Sequence, residues 1–69
     1  MPDQTEWERK AANLLKAELK RQGVTYGKLA DLIGDKEVNV RNKLSRGKFT
    51  AAFLIQSLDA IGQTHLRLD

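Results

Sequence analysis

The chain has 69 residues, 41% hydrophobic and 30% charged, with a net charge of +3 and no cysteine. At that length only about 60% of the unfolded surface is buried on folding, and neither disulfides nor thiolate–metal sites can supplement the core, so a compact helix bundle is expected. The longest apolar run, Ala51 to Ile55, is far short of the ~20 residues of a membrane span, the acidic start does not read as a signal peptide, and an enzyme with its own substrate cleft is hard to fit.

Between residues 5 and 22, Trp7, Ala11, Leu14, Leu15 and Leu19 share one helical stripe, and Arg9, Lys10, Lys16, Lys20 and Arg21 take the other face. The spacing predicts a first helix N-capped by Thr5, with Glu6 and Glu8 near its positive end. Trp7 is expected in the core. Thr25 caps a second helix that repeats Leu29, Leu32 and Ile33, holds Gly27 in its first turn and stops at Gly34. A third helix follows Asp35 and runs to about Arg46, with Val40 and Leu44 four apart. The fourth starts at Thr50, buries Phe53, Leu54, Leu58 and Ile61, and ends at Gly62. Residues 63–69 alternate Thr64, Leu66 and Leu68 with His65 and Arg67, and this period of two predicts a short strand. The expected fold is one all-α domain over 1–69: a bundle of about four helices, a helix-turn-helix motif at about 25–48 and a short C-terminal β-strand.

The chemistry concentrates in the middle of the chain. Net charge is −3 over residues 1–8, +7 over 9–48 and −1 over 49–69. Within 36–48, Lys36, Arg41, Lys43, Arg46 and Lys48 face the single acid Glu37, a surplus that attracts a polyanion. If Val40 and Leu44 point inward, then Val38, Asn39, Asn42 and Arg46 point outward with Ser45, and Arg41 lies on the flank. Asn can pair with adenine N6 and N7, Arg with guanine O6 and N7, and Val can touch a thymine methyl. An ordinary surface helix would more often carry Glu–Lys pairs four residues apart.

At this point the sequence resembles the helix-turn-helix domains of the phage-repressor class, the Cro and lambda-repressor-like (XRE-type) family. The resemblance is carried by Leu29-Ala30 with Leu32-Ile33-Gly34, then Val40, Leu44 and Arg46-Gly47-Lys48, and it spans about residues 7–62. It implies a recognition helix, about 36–46, lying in the major groove. Base contacts are expected from Val38, Asn39, Asn42 and Arg46, or from Arg41 and Ser45 in an alternative register. Phosphate contacts are expected from Tyr26, Lys28, Lys36, Lys43 and Lys48. The family usually has a small apolar plug just after the turn glycine, and this chain has Asp35. The interval from Gly34 to Gly47 also looks one residue longer than usual. Val38 is therefore either a displaced plug or a base contact.

Other motifs fall away. His65 is the only histidine, and a structural metal site needs about four ligands. Ser45-Arg46-Gly47-Lys48 lacks the first glycine and the hydroxyl residue of a phosphate loop. No catalytic residue, metal, cofactor, membrane contact or small-molecule ligand is expected. On the fourth helix, Ile55 and Ala52 point away from the buried side. With Leu66 and Leu68, Ile55 forms an apolar patch that suits a homodimer, unless the tail covers it as a lid.

The expected function is sequence-specific binding of double-stranded DNA by a transcriptional regulator, bacterial or phage, acting in the cytoplasm on the nucleoid. The alternative is a protein-interaction module, antitoxin-like or a regulatory adaptor, that leaves the Asn39, Asn42 and Arg46 face unused. RNA binding is disfavoured by the scarcity of aromatic residues for base stacking.

Overall fold

Capping side chains and glycines set the helix ends. A computed structural model describes residues 4–68, in which α1 spans Gln4–Gln22, α2 Tyr26–Ile33, α3 Glu37–Arg46 and α4 Ala51–Ala60. Thr25 Oγ1 accepts the Lys28 N–H at 3.1 Å, and Thr50 Oγ1 accepts the Phe53 N–H at 3.0 Å. Both caps stand where the sequence predicts them. Thr5 does not cap α1, because the helix already includes Gln4 and Thr5 lies inside its first turn.

Gly34 and Gly47 end α2 and α3 in the left-handed conformation, with φ of 74° and 71°. Their surroundings differ. A Cβ on Gly34 would meet nothing within 4 Å, whereas one on Gly47 would fall 2.7 Å from the Glu8 carbonyl oxygen. The α1 backbone therefore crosses α3 directly at Gly47, and only a residue without a side chain permits both the turn and the approach.

Each helix supplies part of one core: Leu15 and Leu19 from α1, Leu29 and Ala30 from α2, Val40 and Leu44 from α3, and Phe53 from α4. Full burial of each large aliphatic side chain stabilises by about 1.5–3 kcal/mol. Phe49 leans on Phe53 with ring centroids 5.3 Å apart. The α2–α3 pair packs most extensively, α1 crosses α3, and α4 lies against α2. Ser57 is fully buried in α4, and its hydroxyl has no hydrogen-bond partner among the described residues.

Three expectations are corrected in the single chain. Trp7 is not in the core but 56% exposed. The deepest side of α1 follows Ala12, Leu15 and Leu19, which leaves Trp7 at the edge of the stripe. The expected C-terminal strand is not formed either: residues 63–68 have no regular secondary structure. A strand needs a partner for its backbone hydrogen bonds, and among the described residues there is none. Leu32, expected on the apolar side of α2, is also largely exposed, while Leu29 is buried.

Candidate nucleic-acid interface

The α2–α3 turn consists of Gly34, Asp35 and Lys36, and Asp35 fastens it. Its Oδ1 accepts the Lys36 backbone N–H at 2.8 Å and Asn39 Nδ2 at 2.9 Å, and its Oδ2 receives Lys43 Nζ at 3.2 Å. These donors, the Asn39 amide foremost, lower the Asp35 pKa from 3.8 to about 2. The residue at the expected plug position therefore holds the start of α3 with hydrogen bonds instead of apolar contact. Lys36, the N-cap of α3, makes no side-chain cap of its own.

Val40 and Leu44 are buried, and Val38, Asn39, Asn42, Arg46, Arg41 and Ser45 are all exposed. Val38 is 52% exposed, so it is not a plug buried in the turn. The outward face of α3 is thus assembled as the periodicity implies. Asn39 uses an amide N–H on Asp35, which leaves its carbonyl oxygen to face outward chemistry.

The cations of the motif divide into tethered and untethered groups. Lys43 is held between Asp35 and the face of Phe53, with Nζ 4.6 Å from the ring centroid. Lys48 reaches both carboxylate oxygens of Glu8 at 3.2 Å. Arg41 pairs with Glu37 at 2.6 Å. Lys28, Lys36 and Arg46 are exposed and carry no ion pair among the described residues. Tyr26 is half-buried against the core. Near it, a Cβ on Gly27 would lie 2.9 Å from Glu37 Oε2, so a carboxylate already sits at the first turn of α2. That carboxylate complements the helix dipole in the way a bound phosphate would.

Two hollows flank α1. One, of about 240 Å³, lies between α1 and the C-terminal end of α3 and is lined by Thr5, Arg9, Asn13, Lys16, Ser45 and Arg46 among others. The other, of about 230 Å³, is lined by Trp7, Lys10, Ala11 and Leu14 of α1 with Leu54, Leu66 and Leu68. Leu66 is half-buried there, whereas Leu68 and Ile55 remain 64% and 66% exposed. The tail lid is therefore only partial.

The sequence reading missed the polar hollow and the bracing by Asp35. A signal for the first was present: Thr5, Arg9, Ala12, Asn13 and Lys16 recur at helical spacing along one flank of α1. No group of three or more His, Cys, Asp or Glu among the described residues is placed to hold a metal, and no described helix is long and apolar enough to cross a membrane. Comparison with curated proteins and with solved structures gave no match to this chain. The model of the DUF6471 family, described as a domain of unknown function, matches residues 7–66, all but the first turn of α1 and the end of the tail, and the chain belongs to that family.

Proposed function

We propose that the protein binds double-stranded DNA sequence-specifically and regulates transcription, with α3 as a recognition helix in the major groove, in the manner of the phage-repressor class. The observation that carries this reading is the outward face of α3, where Val38, Asn39, Asn42 and Arg46 stand exposed over an inner side fixed by Val40 and Leu44. Amides, a guanidinium and a valine methyl match the base edges of a major groove, and Arg41 and Ser45 extend the set along one flank. Lys28 and Lys36 add sequence-independent attraction, with the Tyr26 hydroxyl, and with Lys43 and Lys48 once they leave Asp35 and Glu8.

The working unit is a homodimer, with two recognition helices about 34 Å apart, one DNA turn. The uncovered side chains of Trp7, Ile55 and Leu68 support this, since a second copy would remove them from water. The two tails, with Leu66 and Leu68, pair as short antiparallel strands across the two-fold axis, each supplying the partner that the other lacks. The protein acts in the cytoplasm, on the nucleoid. The adaptor reading is favoured by the same apolar hollow, which would serve another protein equally well.

Selection of random duplexes by gel shift, followed by titration of the selected sequence, tests the proposal. Enrichment of one motif is expected, with log K falling against log salt at a slope of about −4 to −5. Asn42→Ala should weaken the selected site by about 5- to 150-fold and random duplexes little. No duplex binding at low salt would reject the reading and leave the adaptor.

A further inference from the structure

We propose that the polar hollow between α1 and the C-terminal end of α3 is a phosphate-binding site, filled by a backbone phosphate of the duplex whose major groove holds α3. The source of that phosphate rests on the DNA reading above. The chemistry of the hollow does not.

Three cations, Arg9, Lys16 and Arg46, line one cleft of about 240 Å³, and none has an ion-pair partner among the described residues. No carboxylate lines the cleft with them, and the neighbouring acid Glu8 is engaged by Lys48. Like charges lining one cleft repel, so the arrangement favours an anion among them. Thr5, Asn13 and Ser45 add hydroxyl and amide donors suited to phosphate oxygens. The hollow is smaller than the about 300–1,000 Å³ pockets that enclose drug-sized ligands, which favours a single oxyanion group.

Location supplies the second argument. Ser45 and Arg46 belong both to the cleft wall and to the exposed side of α3. A duplex gripped by α3 would run one strand past this opening. The other candidate anion site, the first turn of α2, already holds the Glu37 carboxylate. Arg9 and Lys16 are the cations of this face that the motif alone would not nominate.

The competing role is structural: cations near the end of α3 also complement its negative dipole end. Arg9→Gln and Lys16→Gln, which keep much of the side-chain stem, separate the two. On the full chain each should weaken selected and random duplexes alike, by about 3- to 10-fold, and reduce the magnitude of the salt slope by about one. Thermal midpoints should stay close to the parent's. A lowered midpoint with an unchanged slope would overturn the proposal in favour of the dipole role. Titration of the free protein with inorganic phosphate, read by amide NMR shifts at Arg9, Asn13, Lys16 and Ser45, distinguishes the sources. Saturable shifts that the Gln variants abolish establish a site for free phosphate as well. If the parent binds no duplex, the DNA reading falls and the phosphate titration alone decides the cleft. If it binds duplex, but the variants change neither slope nor phosphate shifts, the cleft proposal falls alone.

Discussion

The two flanks of α1 carry hollows of nearly equal size and opposite chemistry. Towards α3 the wall is Arg9, Asn13, Lys16 and Arg46; towards α4 and the tail it is Trp7, Ala11, Leu14, Leu54, Leu66 and Leu68. One helix therefore serves three masters: a core side through Leu15 and Leu19, a cationic side and an apolar side. In the single chain both outer sides are unfavourable, the first by charge repulsion and the second by wet apolar surface. The difference assigns each flank its own kind of complement, an anion for one and an apolar surface for the other. Independence of the two is the testable content.

The largest expected effect comes from the crossing that builds the cationic flank. Gly47→Ala adds a left-handed alanine and a methyl group 2.7 Å from the Glu8 carbonyl, so α1 must shift away from α3. Denaturant unfolding should show a loss of about 3 kcal/mol. Gly34→Ala has the same backbone strain without the collision and should lose about 1 kcal/mol. Equal losses at the two glycines would show that the close approach of α1 is not a constraint on the fold.

The apolar flank should respond in assembly. Removing residues 64–69 takes away Leu66 and Leu68 and should leave a monomer by sedimentation, with much weaker binding to a palindromic site and little loss on a half-site. Trp7→Ala should weaken self-association at least tenfold, because large aromatic side chains dominate interfaces, while the unfolding midpoint of the monomer moves little. A parent chain that is monomeric at high micromolar concentration would make the tail a partial lid and nothing more.

How much of this was legible in the sequence depends on range. Thr25, Gly34, Thr50 and the inward pair Val40 and Leu44 are local signals, and each acts in the structure as its spacing implies. Trp7 failed because a helical stripe gives a direction but not how far the neighbouring helices extend along it. The strand is absent from the single chain because alternation specifies an extended habit and not a partner. The polar hollow needs the α1–α3 crossing, which is fixed by contact between Glu8 and Gly47, 39 positions apart. Lys43 looked like a free cation until α4 brought the Phe53 ring beneath it.

A smaller effect concerns acid. The Asp35 pKa is lowered in the folded state to about 2, so the hydrogen bonds of its carboxylate stabilise the fold above the usual carboxylate pKa of about 4. That contribution is lost as pH falls from about 4 towards 2. Asp35→Asn should flatten this part of the stability curve and free Lys43, changing the salt slope of duplex binding without affecting self-association. An acid limb unchanged by the substitution would show that the turn does not depend on this carboxylate.

The smallest change, and the only one expected to stabilise, lies in the buried side of α4. Ser57 is fully buried on α4, and its hydroxyl finds no partner among the described residues. A buried hydroxyl without a hydrogen bond has lost its solvation and gained nothing in return, at a cost of about 1–3 kcal/mol. Ser57→Ala removes the oxygen and leaves a cavity of roughly its size, which offsets part of that gain. Alanine is also the better helix former by a few tenths of a kcal/mol. The net expectation is a gain of about 1 kcal/mol in denaturant unfolding, with duplex affinity, salt slope and self-association unchanged. Such a variant is a firmer background in which to repeat Arg9→Gln and Trp7→Ala: losses that persist there belong to the surfaces, and losses that vanish were failures of the fold. If Ser57→Ala instead destabilises, the hydroxyl has a partner in solution, a buried water or the Phe53 carbonyl one turn back. The core would then be held by a polar contact as well as by its leucines.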